Sequence, residues 1–162
     1  SGSQVMPDSW KIELSTAGCL CVLATGWYFL GRSMVYWYGG PYVVVNAWLV
    51  SYTLLHHTHA EVPHYGPDHF TFLKGALATV DRPYAKIIDH LHHHIGTTHV
   101  AHHLCSRIPH YRSQACTEEL KEILGVHYRF DATPIVRSLY VTLRQCHYVD
   151  GLSGTQYYTA TD

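Results

Sequence analysis

The sequence predicts an all-α membrane protein in which a transmembrane helical hairpin is followed by cytosolic helices that carry a histidine-rich region. Residues 14–31 and residues 33–60 contain no Asp, Glu, Lys or Arg. A membrane-spanning helix needs roughly 20 consecutive, mostly apolar residues, so each stretch is a candidate span. Thirteen of the 15 histidines lie between His56 and His110, at and beyond the end of the apolar part.

Composition excludes several classes of protein. The net charge is −1 with His neutral, so no basic surface indicates a nucleic-acid partner. Charged residues make up 14% of the chain, against about 25% in a typical soluble domain. The five cysteines form no CxxC pair, and two of them lie in an apolar stretch. This usage favours a reducing, cytosol-facing environment over a disulfide framework.

The hairpin is predicted from the two charge-free stretches and what separates them. We expect spanning helices over residues 14–30 and 42–55, with Arg32 at a membrane interface and a break at the Gly-Gly-Pro sequence of residues 39–41. Aromatic residues near the ends of both stretches are typical of a membrane interface. The alternative is a buried helical hairpin of a soluble protein, because glycines dilute the first stretch.

The chain is predicted to form one partial domain. Residues 10–60 make the transmembrane hairpin, and residues 61–162 make the cytosolic region. Within that region, apolar residues at helical spacing predict a helix over 113–124 that ends at Gly125. A further helix is predicted to begin at Pro134, because proline is favoured at the first position of a helix.

The sharpest motif is HxxHH, formed by His99, His102 and His103. On a helix, spacings of three and four residues place side chains on one face, so His99 can share a metal ion with either partner. The adjacent His102 and His103 point about 100° apart, which suits two neighbouring ions better than one. Imidazole binds iron and zinc well, but the HExxH pattern of zinc hydrolases is absent. The alternative is a set of histidines scattered on a polar face.

A second motif, HHTH, lies at the end of the second apolar stretch and contains His56, His57 and His59. Side chains that can bind a metal ion are costly at the end of a membrane helix, so their presence there indicates a functional site. Simple interfacial histidines are the alternative. A third group, His90 and residues 92–94, is expected to support the site rather than to bind metal directly.

Four segments resemble a known family in order and spacing: HHTHAEVPHY, KGALATVDR, HVAHHLCSRIPHY and ILGVHYRFDATPIV. They are similar to the histidine-box, non-haem di-iron membrane fatty-acid desaturases, and most to the plant and fungal acyl-lipid Δ12 (oleate) group. The resemblance runs from about Trp10 to Val149 and covers only the C-terminal part of such an enzyme. The sequence departs from the family pattern at Cys105, where the family has an aromatic residue, and at Arg112, where it has histidine.

The resemblance implies a ligand set. It implies that His99, His102 and His103 are the third histidine box and bind iron, and that His57, together with His59, supplies further ligands to a site of two iron ions. The family's first two histidine boxes are missing, because no histidine precedes His56. The resemblance therefore implies that the iron site is incomplete in this chain.

The resemblance also implies a reaction. Removing two hydrogens from an unactivated methylene pair is beyond side-chain acid–base chemistry, so a cofactor must supply it. The expected reaction converts oleate to linoleate on a phospholipid or other acyl lipid, in preference to omega-3 desaturation. Cytochrome b5 at the endoplasmic reticulum is the expected electron donor, or ferredoxin in a plastid. Asp81 and Asp89 are expected to orient ligand imidazoles through their second nitrogens.

Three hypotheses follow for the chain as a whole. It is part of a desaturase, completed by a missing N-terminal half or by a companion subunit, and inactive alone. Alternatively, it is a catalytically inactive, desaturase-derived structural subunit of a larger membrane complex. The third hypothesis is a zinc-binding or haem-binding membrane module. An upstream reading frame with the missing boxes would favour the first, and a stable partner complex without iron would favour the second.

Overall fold

The computed structural model describes residues 9–151 and 153–161, which are mostly helical. Two long helices come first, α1 (Ser9–Leu30) and α2 (Gly40–His57), and a π-helical turn (Val35–Gly39) leads into α2. Five shorter helices follow: α3 (Phe72–Ala76), α4 (Lys86–Leu91), α5 (His99–Leu104), α6 (His110–Leu124) and α7 (Ile135–Gln145). The predicted helical character is confirmed.

Four two-residue strands, which the sequence did not predict, complete the described part of the chain. They are β1 (His64–Tyr65), β2 (Tyr148–Val149), β3 (Thr155–Gln156) and β4 (Tyr158–Thr159). β1 pairs with β3 and β2 with β4, both antiparallel. The two short ladders attach the C-terminal residues to earlier segments.

The chain divides into two compact units, residues 1–48 and residues 49–162. In the first unit, α1 buries none of its residues and exposes large apolar side chains such as Val22 and Phe29. α1 is the one helix in the described ranges that is long and apolar enough to cross a membrane. α2 covers the second predicted span, but polar residues such as Asn46 and Tyr52 interrupt its apolar character. The structure therefore has one candidate span where the sequence predicted two.

The turn between the two long helices differs from the prediction. The chain leaves α1 at Gly31, whose φ of +52° lies in the left-handed region that glycine adopts without strain. The Gly-Gly-Pro sequence of residues 39–41 instead continues into α2. It does so through the π-helical turn, in which the Gly40 N–H donates to the Val35 carbonyl. Pro41 follows this turn inside a helical run that is continuous from residue 33, so its missing N–H removes one backbone hydrogen bond there.

The core of the second unit is built around residues 79–82, which we call the central segment. All four residues are almost fully buried. Their backbone connects three other parts of the unit, because Val80, Asp81 and Arg82 donate to the carbonyls of His56, Arg129 and Gly96 at 3.0, 3.0 and 2.7 Å. The central segment thereby joins the end of α2, the loop before α5 and the loop before α7.

Two charged side chains of the central segment are buried with partners. Asp81 accepts hydrogen bonds from the Val100 N–H at 2.8 Å and the Tyr128 hydroxyl at 2.6 Å. Burial raises the pKa of Asp81, and these donors oppose the rise. Arg82 forms an ion pair with Asp131 at 2.9 Å and also contacts Ser138. Removing one partner of such a buried pair typically costs about 3–5 kcal/mol, because the other charge stays buried.

The end of α6 and the start of α7 agree with the prediction to within one residue, whereas α6 begins at His110 rather than at residue 113. α6 ends at Leu124, followed by Gly125 with a φ of +51°, and α7 begins directly after Pro134. α7 packs with its polar face inward, since its buried residues are Ser138 and Thr142. Thr142 donates to the Thr58 carbonyl at 3.3 Å, which attaches α7 beside the end of α2.

Gly96 gives a test of this core. A Cβ added there would lie 2.7 Å from the Arg82 carbonyl oxygen and 2.8 Å from the Tyr84 ring. We expect Gly96→Ala to lower the free energy of unfolding by about 1–3 kcal/mol, the usual cost of overpacking. The measurement is denaturation followed by far-ultraviolet circular dichroism. Gly18→Ala in α1 is the control, because nothing lies within 4 Å of its added Cβ. Equal stability of the two variants would contradict this packing.

Candidate metal centre

Three histidine nitrogens converge at one point in the second unit. Nε2 of His99 lies 3.2 Å from Nε2 of His57 and 3.1 Å from Nε2 of His103. Nε2 of a neutral imidazole carries either one proton or one lone pair, so Nε2 of His99 can form a good hydrogen bond with only one of these two neighbours. A metal ion that binds imidazole nitrogens at about 2.0–2.1 Å holds neighbouring nitrogens roughly 3.0–3.4 Å apart. The three residues therefore fit a shared transition-metal ion.

The backbone places these histidines by simple local rules. His57 is the last residue of α2, while His99 and His103 are one turn apart on α5. The Asp81 carboxylate binds the Val100 N–H in the first turn of α5, where an acceptor satisfies a free donor. The sequence predicted that Asp81 would orient an imidazole ring; the structure instead shows it holding the helix that carries two of the rings.

The environment keeps the imidazoles neutral, as metal binding requires. Burial, followed by the nearby His56 and His103, lowers the pKa of His99 to about 2. Burial, followed by His57 and His102, also lowers the pKa of His103. Near neutral pH both rings therefore offer a free lone pair.

His102 lies apart from the three converging nitrogens. Its side chain is exposed, and its ring centroid is 5.9 Å from those of both His99 and His103. It lines a separate cavity of about 230 Å³ together with other histidines, His92, His93 and His110. The divergence expected for adjacent histidines on a helix is thus present, and a role for His102 at a second ion stays a prediction.

His59 also lies apart from the group. Its Nδ1 accepts the Glu61 N–H at 3.2 Å, and its Nε2 is 3.5 Å from the Asp131 carboxylate. Burial raises the pKa of Asp131, but its hydrogen bonds to Thr133 and the Arg82 charge lower it by more. The structure therefore places His59 beside an ionised carboxylate, and its role as an iron ligand stays a prediction.

His56 belongs to the HHTH motif but was not in the ligand set predicted from the sequence. His56 is fully buried, and its Nδ1 contacts the Val80 carbonyl oxygen. Its ring lies 4.3 Å from that of His99. Within the described part of the chain, Nε2 of His56 and Nδ1 of His99 are buried without a hydrogen-bond partner. Unpaired buried nitrogens are costly, so their presence beside the three converging histidines fits a site that binds a cation.

The third histidine group contains the strained part of the loop before α5. His93 and His94 have φ values of 54° and 61°, which are uncommon for residues other than glycine. His92 contacts the Tyr52 hydroxyl through Nδ1 at 2.9 Å. Asp89, expected to orient an imidazole, instead accepts the Tyr84 N–H at 3.1 Å. These contacts support the loop that leads to His99.

Comparison with known proteins agrees with this site. The model of the fatty acid desaturase family matches residues 5–133. The chain is 43% identical over 150 residues to the omega-6 fatty acid desaturase, endoplasmic reticulum isozyme 2, of Glycine max, covering 90% of this chain and 39% of that protein. It is 44% identical over 144 residues to the delta(12)-fatty-acid desaturase of Arabidopsis thaliana, covering 86% and 37%. No solved structure matches the chain.

The chain spans less than two fifths of the length of these relatives. The family match nevertheless covers most of the chain, including all three converging histidines. The resemblance carried by the sequence motifs is confirmed: the chain belongs to the fatty acid desaturase family.

Proposed function

We propose that this chain holds part of the iron site of an oxygen-dependent acyl-lipid desaturase that converts oleate to linoleate. The observation that carries the proposal is the convergence of Nε2 atoms from His57, His99 and His103. The relatives at 40–48% identity, named as omega-6 or delta(12) desaturases, support the position of the new double bond.

The protein's part in this chemistry is to hold and shield the metal. His57, His99 and His103 would bind one iron ion, and His102 would contribute to a second. When bound, iron supplies the activation of dioxygen and the removal of two hydrogens from the methylene pair. The central segment holds α5 against the end of α2, so the ligand rings are arranged before the metal arrives.

Two ions need more ligands than this chain brings together. The described residues form one group of three candidate ligands. The proposal therefore includes further ligands from a missing N-terminal half or a companion subunit, and the chain alone is inactive. A second candidate is an inactive structural subunit of a larger membrane complex, which the small size of the ligand group favours. Iron content distinguishes the two.

The membrane supplies the substrate in this account. We place α1 and α2 as a hairpin in the bilayer of the endoplasmic reticulum, which also holds the phospholipid acyl chain that is the substrate. The almost completely exposed apolar surface of α1 and the exposed valines Val43, Val44 and Val45 of α2 support this placement. Cytochrome b5 is the proposed electron donor, with ferredoxin as the equivalent in a plastid.

The hairpin predicts a definite topology. Single cysteines placed at Lys11 and at Glu61 should label from the same side of the membrane, and one placed at Arg32 from the opposite side. The reason is that two spans return the chain to its starting side. The measurement is labelling by a membrane-impermeant maleimide in sealed vesicles, in a background without the native cysteines. Labelling of all three positions from one side would contradict the hairpin.

The metal site predicts which histidine matters most. His99→Ala should weaken iron binding by at least roughly 100-fold, because Nε2 of His99 lies next to both other nitrogens. Removing a residue that only hydrogen-bonds to a metal ligand already weakens metal binding by up to about that factor. The measurement is bound iron in the full chain, purified from membranes in detergent and titrated with ferrous iron. His127→Ala is the matched control, because His127 is exposed outside the site.

Two outcomes of this titration would contradict the proposal: equal iron binding by His99→Ala and the unchanged chain, or no iron in the unchanged chain. The second outcome would favour the structural subunit. A second experiment tests whether the iron site is complete in this chain: cells that express only residues 1–162 are fed oleate. Linoleate above background from residues 1–162 alone would show that the chain needs no further ligands.

A further inference from the structure

A continuous chain of aromatic rings leads away from the candidate metal centre. The ring of His99 lies 4.3 Å from that of His56, measured between centroids. The His56 ring lies 5.7 Å from Tyr52 and 5.8 Å from Tyr84. The two tyrosine rings stack at 4.0 Å, and Tyr52 then contacts His92. Two oxidisable side chains are therefore in ring contact with a buried imidazole that itself contacts a candidate iron ligand.

At the far end of this series of rings, a base lies beside a tyrosine hydroxyl, which is what reversible tyrosine oxidation needs. An oxidised phenol is a very strong acid, so its proton must pass to a base as the electron leaves. The Tyr52 oxygen lies 2.9 Å from Nδ1 of His92, within the about 2.6–3.2 Å reach of direct proton transfer. Imidazole can accept and return that proton near neutral pH.

Tyr84 belongs to the same stack, but its hydroxyl contacts a different kind of group. Its hydroxyl donates to the Ser51 carbonyl at 3.4 Å, and a carbonyl oxygen is too weak a base to take the proton. Its backbone N–H is held by Asp89, and its ring lies against Gly96, where no side chain fits. Tyr84 therefore serves as a rigid wall that keeps the Tyr52 ring in the stack.

We propose that Tyr52 and His92 form a redox pair that returns one electron to the metal centre when oxidation there is not followed by desaturation. The O–H bond of Tyr52 breaks, its electron passes through the His56 and His99 rings to the centre, and its proton passes to Nδ1 of His92. A neutral tyrosyl radical remains, and the centre is reduced by one electron. The oxidant is the metal centre after reaction with dioxygen or peroxide.

The inference rests on the proposed function, because the oxidising equivalent arises at the iron site. It goes beyond that function, since desaturation itself requires no tyrosine. The pair would divert oxidation away from the ligand imidazoles and onto a side chain that the electron donor can reduce again.

The test detects the radical directly rather than activity. The iron-loaded full chain, purified in detergent, is mixed with hydrogen peroxide, frozen and studied by electron paramagnetic resonance. We expect a tyrosyl signal that narrows when the protein carries ring-deuterated tyrosine. Tyr52→Phe and His92→Gln should each lose the signal, since the first removes the O–H bond and the second removes the base.

Two variants make the assignment specific. Tyr84→Phe should keep the signal, because it retains the stacked ring that keeps Tyr52 in place. Tyr140→Phe, on the exposed face of α7, should keep it as well. A signal that survives in Tyr52→Phe, or that is lost in Tyr140→Phe, would overturn the proposal.

The iron content of the same samples separates two kinds of failure. An iron-loaded chain whose iron is oxidised by peroxide, as its ferric signal shows, but which gives no tyrosyl signal would contradict the redox pair alone. A chain that binds no iron would contradict the proposed function and, with it, this inference.

Discussion

The hydrogen bond from the Val100 N–H to the Asp81 carboxylate is the contact on which the position of the candidate metal centre depends. It holds the first turn of α5, and therefore His99, against the central segment. The same segment donates from Val80 to the His56 carbonyl, next to His57 at the end of α2. Four consecutive buried residues thus bring together imidazoles that lie some 42 positions apart in the chain. No single helix could do this.

This arrangement places an unusual number of polar groups in the core. His56, Asp81 and Arg82 are all fully buried, where unpaired polar groups and charges are costly. Partners offset the cost for Asp81 and Arg82, through Tyr128 and Asp131. Two of the buried nitrogens without a hydrogen-bond partner in the described part of the chain, Nε2 of His56 and Nδ1 of His99, lie beside the converging histidines. The core is therefore polar where it supports the candidate site, and two of its unpaired nitrogens belong to the imidazoles at and beside that site.

The sequence predicted what local rules control. His99 and His103 share a helix face because they are four residues apart. Gly125 marks the end of α6, and Pro134 marks the start of α7. It could not predict contacts made across the chain, such as His59 with Asp131 or His56 with Val80. The predicted break at residues 39–41 was wrong. A π-helical turn that continues through Gly-Gly-Pro into α2 has no simple sequence signal. Local spacing thus identified His99 and His103 among the three converging histidines, whereas burial and second partners required the structure.

X-ray absorption at the iron edge tests the central claim most directly, because it reports the atoms bound to the metal. The full chain loaded with one equivalent of ferrous iron should show only nitrogen and oxygen as nearest neighbours. It should also show the outer-shell scattering of about three imidazole rings, as expected for metal-bound histidine. The imidazole scattering should fall in His99→Ala and stay unchanged in His127→Ala. A spectrum without imidazole scattering, or one with sulfur bound from a cysteine, would contradict the assignment of His57, His99 and His103.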